Sequence, residues 1–141
     1  MPAGCVFCDS AGGQVLWQDA QCRVVLADEP DFPGFCRVVW HAHIAEMSDL
    51  PEQQRLHLMR VVFAVENALR QALRPDKINL ASLGNVTPHL HWHVIPRYRT
   101  DRSFPDPVWN PPRRVGQLAI SVDSSHLQAA LERLLGGPEP A

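Results

Sequence analysis

The run HLHWHVI, His89 to Ile95, places three histidines at every second position of an apolar segment. In a β-strand, residues i, i+2 and i+4 point to the same face. The run therefore predicts a strand with His89, His91 and His93 on one side, at Cα spacings of roughly 6.6 Å. The residues between them turn into the core. Three histidines in strict alternation indicate a chemical site rather than a solvated strand face.

A row of imidazoles supports two kinds of chemistry. Histidine is the commonest metal ligand, so His91 and His93 could hold a catalytic zinc ion that keeps an open position for water. Alternatively, one imidazole is a nucleophile, because its reference pKa of about 6.5 leaves the ring neutral and available at neutral pH. The residues of the run leave both interpretations open.

The segments around this run predict an α+β fold with a mainly antiparallel five-stranded sheet, one long helix and a C-terminal helix. The order βββ-α-ββ-α groups the strands instead of alternating them with helices, which is typical of that class. The predicted strands cover residues 14–19, 22–28, 35–40, 77–82 and 89–97.

The longest helical pattern covers residues 47–76, with Ser48 or Asp49 as its cap and Pro75 as its end. Apolar residues fall on two sides of this helix. One side is expected to pack on the sheet, and the other is either enclosed in the same domain or covered by a second subunit. A capped amphipathic pattern at 123–136 predicts the C-terminal helix.

The chain of 141 residues is expected to form one domain. Its core is predicted at 1–98, followed by a proline-rich loop at 99–115 and by a C-terminal strand and helix extension at 116–141 that packs on the same domain. The loop carries four prolines and is interpreted either as a surface linker or as a functional element. Trp109 in its middle favours a covering role.

Charge and hydropathy exclude several function classes. The formal net charge is −2, and no basic stripe indicates binding of long nucleic acid, although a small anionic ligand remains possible. No apolar run is long enough for a membrane span. The N-terminal residues lack the pattern of a secretory signal, so a cytoplasmic protein is expected.

The four cysteines are then interpreted as metal ligands, reactive thiols or core residues rather than disulfides. Cys5 and Cys8 form a C-x-x-C pair, which is typical of a zinc site or a redox pair, or arises by chance. A redox pair would follow a strand, and there is no room for one before Cys5. Cys22 and Cys36 fall inside predicted strands and are expected in the core.

HLHWHVI matches the signature H-φ-H-φ-H-φ-φ, where φ is apolar, and the chain resembles the histidine triad (HIT) superfamily of nucleotide hydrolases and transferases. CVFC near the N-terminus, AHIAEMSDL before the long helix and PRY after the triad resemble family features in family order. The resemblance covers about residues 5–98. LGNVTPHLHWHVI with the following PDPVW is similar to a bacterial branch described as HIT-like or dinucleoside polyphosphate hydrolase-like.

The resemblance implies a two-step displacement at the α-phosphate of a small nucleotide, such as a nucleoside phosphoramidate or a dinucleoside polyphosphate, in a homodimeric enzyme. It assigns the triad His89, His91 and His93 to the catalytic site, with His91 as nucleophile and His93 on a non-bridging phosphate oxygen. His91 then needs a hydrogen-bond acceptor on its second nitrogen, such as a backbone carbonyl. Asp28 matches an acid that bonds the ribose hydroxyls, or it simply begins a turn.

The loop before the triad, LGNVTP (residues 83–88), departs from the pattern that the family uses to bind phosphate. The family has a hydroxyl residue three places before the first histidine, where this chain has Val86, and its loop is longer. Asn85, Thr87 or Ser82 could replace that hydroxyl, together with backbone N–H groups near Gly84. These residues and His93 are the predicted phosphate contacts.

The resemblance also implies a structural zinc ion and no organic cofactor. A closed site with two cysteines and two histidines would be of the structural kind. Its predicted ligands are Cys5, Cys8, His43 and His89. His41 and His57 are expected at the surface.

Three functions therefore compete. The first is a nucleotide hydrolase or nucleotidyl transferase with a nucleotidyl-His91 intermediate. The second is a zinc-dependent hydrolase with His91 and His93 as metal ligands, which the lack of a carboxylate after the triad disfavours. The third is a nucleotide-binding module with weak activity, which Val86 favours.

Overall fold

The structure is a computed structural model that describes residues 4–139. In chain order its elements are α1 (Val6–Asp9), β1 (Gln14–Gln18), β2 (Cys22–Leu26), β3 (Cys36–Trp40), a 3-10 turn (Met47–Asp49), α2 (Glu52–Leu73), β4 (Lys77–Ala81), β5 (His91–Arg97) and α3 (Ser124–Leu135). The predicted α+β fold, with one long helix and a C-terminal helix, is confirmed.

The five strands form one antiparallel sheet in the order β1-β2-β3-β5-β4. The connection through α2 carries the chain past β3, so β5 returns between β3 and β4. The histidine strand is thereby flanked by two strands, and β4 becomes an edge of the sheet. This order places β5 inside the sheet, with its histidines on one face.

The main core lies between the sheet and the two longer helices. Leu90 and Val94 point into it and Trp92 packs against it, as the alternation predicts. Helix α3 packs on α2 and β1 and buries Leu127, Ala130 and Leu131. The opposite face of the sheet carries the histidines. It is covered by the N-terminal segment (residues 4–13) and by the proline-rich loop. Its buried apolar residues include Val25, Val39, Phe35 and Ile95.

Three local predictions are wrong. Helix α2 begins at Glu52 because Pro51 is its extended N-cap, while Met47–Asp49 forms a separate turn closed by a capping box. Strand β5 begins at His91, so His89 precedes it. No strand forms at 116–122, because Gln117 donates its backbone N–H to Thr100 in the proline-rich loop rather than to the sheet.

No helix within residues 4–139 combines the length and the hydropathy that crossing a lipid bilayer requires. The longest, α2, packs one apolar face on the core, while its exposed side carries charged residues together with Leu56 and Phe63.

His57 is not a free surface histidine. Its Nε2 lies 2.6 Å from Oδ2 of Asp19, and the backbone N–H groups of Gln21 and Cys22 donate to Oδ1 of the same carboxylate. Burial alone would raise the pKa of Asp19, but these hydrogen bonds outweigh it and the pKa is lowered. Asp19 therefore ties the turn between β1 and β2 to the start of α2.

We expect Asp19→Ala to lower the free energy of unfolding by about 1–3 kcal/mol, because two backbone donors and His57 lose their acceptor. A carboxyl whose folded pKa is lowered stabilises the protein above its unfolded pKa and loses that effect as the pH falls through the folded pKa. In urea unfolding, the difference from wild type should be full above pH about 5 and shrink below about 4. Glu132→Ala, at an exposed acid of α3, is the matched control; an equal effect of both variants would contradict the assignment.

Candidate active site

Strand β5 directs His91 and His93 to the face of the sheet opposite α2. In the strand register, His91 lies across from Val39 of β3, and His93 lies across from Arg37 of β3 and Ala81 of β4. Residues directly opposite each other share a face. All three histidines of the triad are buried.

The tautomer of His91 is set by the backbone of His89. Nδ1 of His91 lies 2.6 Å from the carbonyl oxygen of His89, which can only accept, so Nδ1 carries the proton. This is a backbone acceptor of the kind that the family resemblance implied for His91. Burial lowers the pKa of His91, a shift that the hydrogen bond opposes and the charge of Arg37 increases. The ring is therefore neutral at pH 7, with its lone pair on Nε2.

His93 is held as a neutral ring by its surroundings. Burial first, and then His91 and Arg37, lower its pKa to about 3. Its ring centroid lies 4.9 Å from that of His91, 5.5 Å from Phe35 and 5.0 Å from Trp109, all with edge contacts. Its Nδ1 is buried and has no hydrogen-bond partner in the described part of the chain. A neutral ring of this kind can donate a hydrogen bond but is a poor proton donor.

A pocket of about 420 Å³ opens in front of His91 and His93. The N-terminal segment forms one wall, and the loop between β4 and β5 forms the other. Its remaining lining residues are Val6, Phe7, Gly12, Arg37, Leu83, Gly84, Asn85, Val86, Thr87 and Trp109.

The predicted phosphate contacts divide into two groups. Asn85 and Thr87 line the pocket beside Gly84. Ser82 does not line it; its hydroxyl instead donates to the carbonyl oxygen of His91 at 2.7 Å and so steadies the backbone of the predicted nucleophile. Asp28 is exposed and also lies outside the pocket lining, so its ribose contact stays a prediction.

Phe7 is a pocket residue that the sequence did not reveal. Its ring centroid lies 4.7 Å from that of His91 and 5.8 Å from that of His89. Gly12 makes room for it: with φ at +90°, a Cβ on Gly12 would lie 2.5 Å from the Phe7 ring. Phe7 sits between the two cysteines of CVFC, and nothing in its residue type signals a position against the nucleophile.

Arg23 fastens the N-terminal segment to the sheet. Its guanidinium is almost fully buried and donates to the carbonyl oxygens of Phe7, Ser10 and Ala11 at 2.8, 3.2 and 2.8 Å. Its Nη1 also contacts Nδ1 of His41 at 3.0 Å. His41, expected at the surface, is therefore half-buried and part of this brace, which holds Phe7 in the pocket wall.

The four predicted zinc ligands meet behind the triad. Nδ1 of His89 lies 3.4 Å from Sγ of Cys5 and 3.5 Å from Sγ of Cys8, and Nδ1 of His43 lies 3.3 Å from Sγ of Cys8 and 3.2 Å from Nδ1 of His89. A tetrahedral zinc ion with ordinary bond lengths separates S and N ligands by about 3.6 Å and two N ligands by about 3.3 Å. The cluster therefore fits a possible zinc site.

His89 is prepared for metal binding by its other nitrogen. Nε2 donates to the carbonyl oxygen of Trp40 at 2.6 Å, which leaves the lone pair of Nδ1 directed at the cluster. Burial lowers the pKa of His89 and favours the neutral ring that metal binding requires. Because the His89 carbonyl accepts from His91, one residue joins the cluster to the predicted nucleophile.

The proline-rich loop is built around a buried ion pair. Asp101 is 0% exposed and Arg97 1% exposed; Nε and Nη2 of Arg97 lie 2.8 and 3.1 Å from its carboxylate. Backbone N–H groups of Tyr98, Ser103 and Phe104 also donate to Asp101. Buried charges persist when they are paired and hydrogen-bonded in this way. The loop is therefore an ordered element that carries Trp109 onto His93, rather than a linker.

Residues 10–100 match the HIT domain family, and the chain therefore belongs to the histidine triad (HIT) family. The match covers the sheet, the long helix and all three histidines of the triad, His89, His91 and His93. The family comprises nucleotide hydrolases and transferases.

Several curated relatives have named activities, including the following two. An adenylylsulfatase of Arabidopsis thaliana is 28% identical over 106 residues, covering 69% of this chain and 54% of that protein. An AP-4-A phosphorylase of Mycobacterium tuberculosis is 28% identical over 98 residues, covering 65% and 50%. The chain thus spans about half the length of these two relatives.

Solved structures share the fold. A histidine triad protein from Marinobacter aquaeolei is 30% identical, with a TM-score of 0.68 over 89% of this chain and 90% of that one. A zinc-bound histidine triad family protein from Mycobacterium smegmatis, 23% identical, has a TM-score of 0.65 over 93% and 95%.

Proposed function

We propose that this protein is a nucleotide hydrolase or nucleotidyl transferase that acts at the α-phosphate of a nucleoside phosphoramidate or a dinucleoside polyphosphate. The observation that carries the proposal is the 2.6 Å hydrogen bond from Nδ1 of His91 to the carbonyl of His89. It leaves Nε2 of a neutral ring as the nucleophile in the wall of the pocket. The names of the two curated relatives support a nucleotide substrate.

The reaction would proceed in two displacements at phosphorus. In the first, the lone pair of His91 Nε2 forms a bond to the α-phosphorus, and the bond from phosphorus to the leaving oxygen or nitrogen breaks. The leaving group keeps that electron pair and takes a proton from water. In the second, water attacks phosphorus, the N–P bond breaks with its electrons returning to Nε2, and the extra proton passes to solvent. An acceptor other than water would give transfer instead of hydrolysis.

Donors around the pocket would stabilise the charge on the phosphate oxygens. Neutral His93 offers a ring N–H, and the loop offers the amide of Asn85, the hydroxyl of Thr87 and backbone N–H groups beside Gly84. Fixed donors aimed at developing charge usually supply the largest part of the rate enhancement. Val86 has no hydroxyl. On the loop side, the groups just named would therefore be the only donors to the phosphate oxygens.

Cys5, Cys8, His43 and His89 would hold a structural zinc ion. Bound there, the ion would supply a cross-link and no open coordination position, because the protein fills all four. It would tie the N-terminal segment to the residues beside the triad and so fix Phe7 against His91. The zinc-bound relative from Mycobacterium smegmatis supports this assignment.

A substrate panel tests the proposal against a zinc-dependent hydrolase. We expect turnover of at least one nucleoside phosphoramidate or dinucleoside polyphosphate, with nucleoside monophosphate as a product in chromatography. Protein treated with a chelator, and still folded by circular dichroism, should keep at least a tenth of that turnover. No turnover of any substrate in the panel would favour a nucleotide-binding module without activity. A loss of turnover beyond a thousandfold on metal removal would favour a catalytic metal ion.

We also propose a homodimer formed through α2 and the β4 edge. Phe63 of α2 is 52% exposed, and one turn later Glu66 lines a groove with Lys77 and Ile78 of the edge strand. Among residues 4–139 no strand pairs with the outer side of β4, and such an edge beside an exposed aromatic side chain suits a second copy of the chain.

We expect Phe63→Glu to weaken dimerisation at least about tenfold, because a charge would be buried in the interface. Sedimentation velocity over a range of concentrations measures this. Val115→Glu, at an exposed loop position, is the control. A wild-type monomer at micromolar concentration, or equal effects of both variants, would contradict the dimer.

A further inference from the structure

Arg37 brings a positive charge into the pocket from the strand next to the triad. It lies directly across from His93 in the register of β3 and β5, so the two side chains share a face. Arg37 lines the same pocket as His91 and His93. It is the charged residue of an otherwise apolar strand, CRVVW.

This guanidinium has no acidic or carbonyl partner within residues 4–139. Arg97, Arg102 and Arg113 each form an ion pair with an aspartate, and Arg23 donates to backbone carbonyls. Arg37 instead lies over the ring of Phe35, 5.1 Å from its centroid. Burial lowers the pKa of Arg37, partly opposed by Glu29, but an arginine side chain stays charged. A half-buried cation with no ion pair or hydrogen bond to an acceptor is stabilised when a ligand supplies the anion.

Arg37 and the loop between β4 and β5 lie on opposite sides of strand β5. The loop of Gly84–Thr87 connects β4 to β5, whereas Arg37 belongs to β3, and β5 lies between these two strands. An α-phosphate in front of His91 would take its donors from the loop and His93. Arg37 would then be free to bind a second anionic group of the same substrate.

We propose that Arg37 binds a phosphate of the leaving group, so that this pocket favours nucleotides with a phosphorylated leaving group over those with an uncharged amine. The inference rests on the proposed function and narrows its substrate class to polyphosphate substrates. A guanidinium presents parallel N–H donors that match two phosphate oxygens at once, whereas lysine offers a point charge. Arg37 would therefore bind and select substrate without taking part in the chemistry at His91.

The test compares kcat/KM for a dinucleoside tetraphosphate and for a nucleoside phosphoramidate with a neutral amine leaving group. We expect Arg37→Gln to lower the tetraphosphate value by about 10- to 100-fold, and to lower it at least about tenfold more than the phosphoramidate value. Arg37→Lys should fall between wild type and Arg37→Gln. Arg60→Gln, at an exposed arginine of α2, is the matched control and should change neither value. Equal losses on both substrates would overturn the proposal.

Calorimetric binding of inorganic tripolyphosphate and orthophosphate keeps the proposal testable without turnover. Wild-type protein should bind tripolyphosphate at least about tenfold more tightly than orthophosphate, and a folded Arg37→Gln variant should lose that preference. Equal affinity of the wild type for both anions would overturn the role of Arg37 even if the variant does not fold. Turnover without any adduct on His91 would overturn the proposed function instead, and the calorimetry distinguishes the two failures.

Discussion

Replacing His91 with alanine should abolish turnover while leaving the protein folded and its content of the proposed structural zinc unchanged. Removing the group that forms the covalent bond typically costs at least about 10⁴-fold in kcat. The zinc content should persist because His91 is outside the cluster of Cys5, Cys8, His43 and His89. Stopped assays, metal analysis and thermal melting on one preparation would measure all three quantities.

His126→Ala is the matched control, since that histidine is exposed on α3. It should retain full turnover. A His91→Ala variant within about tenfold of wild type would contradict a nucleophilic role. The pH profile gives a second check: only the neutral ring attacks, and the pKa of His91 is lowered by burial. The acid limb of kcat/KM assigned to His91 should therefore lie below pH about 6.5.

Replacing Cys5 with alanine should remove zinc and destabilise the fold. Cys5 is buried and is one of the four groups of the cluster, so its loss opens the site and releases the N-terminal segment. We expect the free energy of unfolding to fall by at least about 3 kcal/mol, because metal binding to the native state contributes directly to folding. Metal analysis and urea unfolding with and without chelator are the measurements.

Cys36→Ala is the matched control for a buried thiol. Cys36 lies in β3 within the main core, and burial raises the pKa of its thiol to about 12, so it is an inert core residue. This variant should lose some stability through packing and keep its zinc. Equal zinc loss in the Cys36 and Cys5 variants, or full zinc content in Cys5→Ala, would contradict the ligand assignment.

The triad strand was predictable because its information is local. A period of two in HLHWHVI determines which side chains share a face, and the structure places His91 and His93 together on it. The cluster of Cys5, Cys8, His43 and His89 was not predictable from periodicity, because Cys5 and His89 are far apart in sequence and meet only through tertiary packing. Its ligands came from the family resemblance, and the four side chains do meet.

Arg37 was missed for a different reason, and for Trp109 a covering role was favoured but its contact with His93 was not predicted. Arg37 looks like an ordinary polar residue until the register of β3 against β5 sets it opposite His93. Trp109 reaches His93 only because Asp101 folds the proline-rich loop around itself with Arg97. Composition suggested a linker as readily as a cover, since buried ion pairs inside a loop leave no periodic signal.

The central claim is a covalent nucleotidyl-His91 intermediate, and intact-protein mass spectrometry tests it most directly. Protein is mixed with a nucleoside phosphoramidate, quenched at alkaline pH to protect the N–P bond, and digested for peptide mapping. We predict a mass increase of one nucleotidyl group on His91, absent from His91→Ala and present in His126→Ala. Substrate turnover with no adduct, or an adduct on another residue, would contradict the account.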